Sequence, residues 1–371
     1  MGPRFTVTSS AVAADRLTGT GPYEPDEGTT VEVSLMGLAG MGWIAKSLTA
    51  AAELGLAEHL DGAPMTVEEL AKQTGTHPET LEALLRILSA LGVFRRDDAG
   101  AYLNTALSDQ LRDDHPQSMR HYVMLSGGLY ADTFTALTHT LRTGESAFRH
   151  LHGTRIYEYL EQHPDEADLY DRAMADLARP VAAALAGTYD FAAVRSVLDV
   201  GGNSGELLKG LLTAHPHLSG TCLDRADVCT RAAAELAASG REDLAERLTY
   251  RPGDFLQEVP AGADLYTVKN VLHNWNHEHS VVILGRIREA LERTGADRPA
   301  GQQPRLLVIE PLIETDLDWM RVLFQMVVCE DGTRGRTDDV QRAQIAEAGL
   351  EVLDTLRLST GHTAHICAAA R

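Results

Sequence analysis

The chain has 371 residues, 44% hydrophobic and 23% charged, enough for two or three domains with cores of their own. A formal net charge of −20 argues against nucleic acid and anionic membranes as partners, since both are bound through Lys and Arg. Four scattered cysteines without a C-x-x-C pair exclude a disulfide framework and a cysteine zinc site, and read as reduced thiols of a cytoplasmic enzyme.

Residues 1–30 are rich in Thr, Gly, Ala and Pro, and are expected to form a tail with no secretory leader. No apolar run nears the roughly 18 residues that span a bilayer. From Val31 to Leu60 the pattern is helical: Trp43, Ile44, Leu48, Ala51, Ala52 and Leu56 recur at spacings of three and four. Residues 65–94 read as a helix-turn-helix with a wing. Thr66 and Glu69 make a capping box, and Gly75 ends the first helix. Thr76 is expected to cap the second helix, which has Pro78 and Glu79 in its first turn; Gly92 ends it and Val93-Phe94 starts a strand. A DNA-reading helix would carry Arg, Lys, Asn or Gln, whereas this one has Glu79, Glu82 and Arg86. The module is therefore read as packing and dimerising, with a DNA-binding regulator as the alternative.

From Asp114 to Arg195 the pattern is helical, broken at Gly127-Gly128, Gly144, Gly153 and Pro164. Beyond it, strands expected at 196–200, 220–223, 248–251, 263–268 and 305–309 alternate with helices near 206–214, 226–239, 278–293 and 338–347. That alternation predicts an α/β domain, a doubly wound, Rossmann-like parallel sheet with helices on both faces.

The densest signal is Val197-Leu-Asp-Val-Gly-Gly-Asn-Ser-Gly-Glu206: a strand, a tight loop with Gly201, Gly202 and Gly205, then a helix. The spacing departs from the dinucleotide G-x-G-x-x-G, and no Lys follows as in a P-loop. Asp199 two residues before the first glycine suits a cation better than a phosphate. S-adenosylmethionine, with a sulfonium, an ammonium and no phosphate, fits. Further candidates close successive strands, where ligands of such sheets lie. Asp224 is placed to accept from a ribose diol. Asp254 and Phe255 are placed to accept from an adenine amino group and to stack on its ring. His273 follows the fourth strand, and an imidazole, with a reference pKa near 6.5, suits a general base. His273, His277, Glu278 and His279 lack the H-E-x-x-H spacing, so no metal is expected.

These motifs, with Lys269-x-x-x-His273-x-Trp275 and Val308-Ile-Glu310, resemble the caffeate-type small-molecule O-methyltransferases in their bacterial natural-product branch, over roughly residues 31–371. The resemblance implies S-adenosylmethionine as methyl donor and transfer to a phenolic aromatic small molecule, with ring C-methylation as the alternative. A non-catalytic ligand-binding protein on the same fold is the competing reading. The implied organisation is a tail at 1–30, a winged-helix homodimerisation domain at 31–125, a helical linker or substrate-lid region at 126–190 and the catalytic domain at 191–371. Gly201, Asp224, Asp254, Phe255 and Lys269 are the implied donor contacts. His273 is the implied base, flanked by Glu310. Phe148, Met174, Trp275 and Met326 are implied near the acceptor.

Three positions depart from the family pattern. Asn203 replaces the third glycine, Asn274 replaces the Asp of His-Asp-Trp, and Gly335 stands where a second acid usually precedes Arg-Thr. Glu330 is the expected substitute for that acid. Arg334 and Arg336 are read as surface charges, with pairing to a substrate carboxylate as the alternative.

Overall fold

A computed structural model describes residues 35–296 and 298–370; the tail expected at 1–30 and the helical start at Val31 lie outside the described residues. Two compact units emerge. Among the described residues, one comprises 35–132 with 172–177, the other 133–171 with 178–370.

In the first unit, α1 (Leu35–Glu53), α2 (Val67–Thr74) and α3 (Pro78–Ala90) precede a two-stranded wing, β1 (Phe94–Arg96) and β2 (Tyr102–Asn104), and then α4 (Arg120–Leu125). Its core gathers Leu56, Leu70, Leu85, Leu88, Phe94 and Tyr102. The capping box forms at Thr66 and Glu69, and left-handed Gly75 closes α2. Thr76 does not cap α3. Pro78 takes the first helical position, so the cap falls on His77, and the Thr76 hydroxyl pairs with Thr74 at 2.9 Å. Only the second half of α1 is buried, at Thr49, Ala51 and Ala52. Its first half presents Leu35, Met36, Leu38, Met41 and Trp43 to solvent.

The second unit opens with α5 (Leu137–Thr143), α6 (Ala147–His152), α7 (Ile156–Gln162) and α8 (Pro164–Thr188), whose residues 172–177 group with the first unit. The alternating part follows: β3 (Ser196–Val200), α9 (Glu206–Ala214), β4 (Ser219–Asp224), α10 (Ala226–Ala238), β5 (Leu248–Pro252), β6 (Leu265–Lys269), α11 (His277–Gly295) and β7 (Arg305–Glu310). Then come α12 (Trp319–Val328), α13 (Asp338–Glu347), β8 (Leu350–Arg357) and β9 (Thr363–Ala369). Strand order is β5-β4-β3-β6-β7-β9-β8, with β3 to β7 parallel and β9 antiparallel to its neighbours.

The apolar runs of β3, β6 and β7 are explained by this order: they are central strands, buried on both faces. One face packs Leu207, Leu208, Leu211 and Val181, the other Ile283, Leu284, Ile287 and Ile345. Strand order reverses between β3 and β6, which opens the crevice at their carboxyl ends. The sequence pattern did not separate β8 and β9. β8 has a register shift between Val352 and Asp354, and β9 carries three Ala, a weak strand former. Among the described residues no helix is long and apolar enough to cross a membrane.

Candidate active site

The glycine loop joins β3 to α9. Asp199 is buried; Oδ1 accepts the Thr267 hydroxyl at 2.6 Å, while Oδ2 has no hydrogen-bond partner among the described residues. Burial pushes its carboxyl up to about 6. At Gly202 a Cβ would lie 2.7 Å from both Asp199 Oδ2 and Cys222 Sγ, so only glycine lets the loop close over the acid. A buried acid with a free oxygen under a bare backbone suits a cationic donor, and the residues present fit one.

Asp224 ends β4, and burial raises its pKa; its carboxylate accepts the backbone N–H groups of Asn203 and Arg225, each at 2.8 Å. Asn203 adopts the left-handed conformation that a third glycine would take (φ 52°). Its side chain donates to Asp171 at 2.8 Å, and Arg231 also reaches Asp171 at 2.6 Å. Asp254 is exposed and caps its own turn, accepting from Leu256 N–H and the Gln257 amide. Phe255 meets Trp275 edge-on at 5.8 Å. Lys269, at the end of β6, is drawn below its ordinary pKa by burial, against the pull of Asp199 and Glu310.

A short 3₁₀ turn, Leu272–Asn274, carries His273 out of the sheet. The structure sets His273 Nδ1 2.5 Å from Glu310 Oε2, while Glu310 Oε1 accepts the Leu272 N–H at 2.9 Å. Burial pushes the Glu310 carboxyl up, but His273, Arg336 and His362 outweigh it and hold the carboxyl below its ordinary range. His273 Nε2 has no hydrogen-bond partner among the described residues, and the ring is 18% exposed. A recess beside it is lined by His273, Glu310, Ile313, Val322, Gln325 and Gly335, among others.

A model of the O-methyltransferase domain matches residues 134–350, and one of the O-methyltransferase dimerisation domain matches 36–113. The chain belongs to the O-methyltransferase family. It is 36% identical over 327 residues to mitomycin biosynthesis 6-O-methyltransferase of Streptomyces lavendulae, covering 86% of this chain and 89% of that protein. It is 30% identical over 324 residues to a phenazine O-methyltransferase of Lysobacter antibioticus, covering 86% and 91%. An O-methyltransferase of neocarzinostatin biosynthesis, solved with S-adenosylmethionine and 2-hydroxy-5-methyl naphthoic acid, superposes with a TM-score of 0.71 at 32% identity, covering 92% and 100%. The protein is an S-adenosylmethionine-dependent methyltransferase.

In this O-methyltransferase the second acid has no room. A Cβ on Gly335 would sit 2.4 Å from Val322 Cγ2 and 2.5 Å from Ile313 Cδ1. Glu330 is not brought to the His273 ring. Its carboxylate accepts the Asn276 N–H at 2.9 Å and meets His279 Nδ1 at 2.7 Å. Arg334 is exposed, as expected, but Arg336 is not a surface charge: it is 6% exposed. Its guanidinium donates to the Trp275 carbonyl, Ser280 Oγ and Gln344, leaving one terminal nitrogen unpaired among the described residues.

Of the expected acceptor-side residues, Trp275 directly follows the His273 turn and stacks on Tyr157 at 6.2 Å. Met326 is half-buried on α12, whose Val322 and Gln325 line the recess instead. Phe148 is fully buried against His152 and Tyr159. Met174 falls in the part of α8 that groups with the first unit. Tyr157, Gln325 and Asp171 carried no signal in the sequence, being ordinary members of helical runs. The nearby histidines are spoken for: His277 meets Glu347 and Gln344, and His279 meets Glu330. Among the described residues no group of three or more His, Cys, Asp or Glu could hold a metal ion.

Proposed function

We propose that the protein methylates the oxygen of a phenolic aromatic small molecule in secondary-metabolite, antibiotic-type biosynthesis, with His273 as base. The observation that carries this reading is the His273–Glu310 pair at 2.5 Å with Nε2 open beside a recess. The donor supplies an electrophilic methyl on a sulfonium when bound. Asp199, Gly201, Gly202, Gly205, Asp224, Asp254, Phe255 and Lys269 would hold it. Glu310 fixes the proton on Nδ1, leaves the Nε2 lone pair for the phenolic proton, and stabilises the imidazolium that forms. Phe148, Met174, Trp275 and Met326 are the proposed acceptor-side residues. Relatives named for methylation of mitomycin, 3-amino-4-hydroxybenzoate and 2,7-dihydroxy-5-methyl-1-naphthoate support the acceptor class.

The proposed organisation is a dimerisation domain at 31–125, a helical linker and substrate-lid region at 126–190 and a donor-binding domain at 191–371. The exposed apolar start of α1 supports a homodimer. The four free cysteines support a cytoplasmic enzyme, and the acidic balance supports one without nucleic-acid or membrane partners. Turnover of a panel of hydroxybenzoates, catechols and naphthols with S-adenosylmethionine tests the activity. Absence of any transfer by a chain that binds the donor would favour a ligand-binding role. A monomeric mass in light scattering would refute the dimer.

A further inference from the structure

The recess leaves the second acid unexplained, and resting on the reading of His273 as base, one carboxylate nearby has a different task. Glu330 lies just past α12 with its side chain 10% exposed. Its carboxylate receives the Asn276 N–H at 2.9 Å and meets His279 Nδ1 at 2.7 Å. Its own N–H donates to the Asn274 carbonyl at 3.3 Å. One residue therefore grips the chain on both sides of Trp275, immediately after His273. On its other side Arg155, the residue capping α7, reaches the same carboxylate at 3.4 Å.

Asp331 repeats the pattern toward α6. It accepts the Ser146 N–H at 2.7 Å and pairs with Arg149. Ser146 is the cap of α6, and its hydroxyl donates to Val327 on α12 at 3.0 Å. Tyr157 of α7 adds an aromatic contact by stacking on Trp275. The starts of two helices and the base-bearing turn thus meet on a single acidic dipeptide.

We propose that Glu330 is a positioning residue: it fastens the His273 turn and, with Asp331, ties that turn to α6 and α7, so that seating these helices and placing the base are one event. The mechanism gives Glu330 no other task. Its carboxylate is little exposed and its bond to the Asn276 N–H is charge-assisted, so it constrains the turn more than a surface pair would. The Arg155 contact, with that side chain 47% exposed, adds less. A base displaced by an ångström loses about 100-fold in rate, which sets the scale of the effect.

The test compares Glu330→Ala in the wild-type and His273→Ala backgrounds. Turnover is measured on the best acceptor of the phenol panel, and affinity for S-adenosylhomocysteine by calorimetry. Expected is a fall of about 10- to 100-fold in kcat with product affinity unchanged, partial recovery in Glu330→Gln, and no further loss on top of His273→Ala. A merely structural acid would lower both backgrounds by the same factor, and that result would overturn the proposal. So would a wild-type rate in Glu330→Ala when His273→Ala is crippled. Near-normal turnover by His273→Ala would instead sink the base assignment itself. Should the alanine variant not fold, Glu330→Gln in the same two backgrounds gives the same discrimination.

Discussion

In the glycine loop after β3 the working surface is backbone over one buried carboxylate; in the turn after β6 it is side chains held by other side chains. The first region gains its shape from what is missing, since Gly202 has no space for a Cβ. The second gains its shape from acids that arrive from distant chain: Glu310 on the His273 ring and Glu330 on the Asn274–Asn276 segment. On the proposed reading, backbone defines the donor side and tolerates little variation. The proposed acceptor side rests on pairwise contacts that substitution can remove one at a time. Single variants should therefore separate chemistry from donor binding, and the expected effects fall in a definite order.

The largest belongs to the turn. His273→Ala should lower kcat by roughly 10²–10⁴-fold and leave donor affinity unchanged, read by steady-state kinetics beside calorimetry. Loss of donor binding in that variant would erase the distinction between the two regions. Glu310→Gln should cost less than His273→Ala, because shape is kept while orientation and imidazolium stabilisation are lost. Equal losses in both variants would mean that Glu310 does more than orient.

Gly335→Glu sharpens the contrast from the other side. Restoring the family acid forces atoms against Val322 and Ile313, and should destabilise the fold by about 1–3 kcal/mol in urea melts without raising kcat. A more active, equally stable variant would show that the recess opens more easily than its packing implies.

The smallest effect belongs to the loop. The Asp199 carboxyl, pushed up to about 6 by burial, must ionise to favour a cation. Donor affinity should therefore climb as pH rises through about 6, by up to roughly tenfold per unit below that point. The profile should flatten in Asp199→Asn. Because the folded pKa is raised, Asp199 stabilises the donor-free fold at low pH and loses that contribution as pH rises through about 6.

How far the sequence foretold these regions follows from what each is made of. Strand, loop and helix around Asp199 are contiguous, so their order could be read directly, and β3 and α9 formed where the pattern placed them. The meeting of His273 and Glu310 joins residues 37 apart, and spacing alone does not give it; the family resemblance did. Gly-Thr-Arg-Gly-Arg-Thr reads as a surface loop, and only tertiary contact shows that the charge of Arg336 is buried under the turn. The closure at Gly335 likewise depends on Val322, which no local pattern links to it. Asp338–Glu347 was legible from its periodicity, whereas α12 was not singled out.

The most direct test of the central claim follows the methyl group itself. Wild-type protein is incubated with methyl-¹³C donor and the phenol panel, and the products are read by carbon NMR beside the same reaction with His273→Ala. The account predicts a labelled methoxy signal, formed together with S-adenosylhomocysteine, that all but vanishes in the variant. A labelled ring methyl, or an undiminished methoxy signal from His273→Ala, would contradict it.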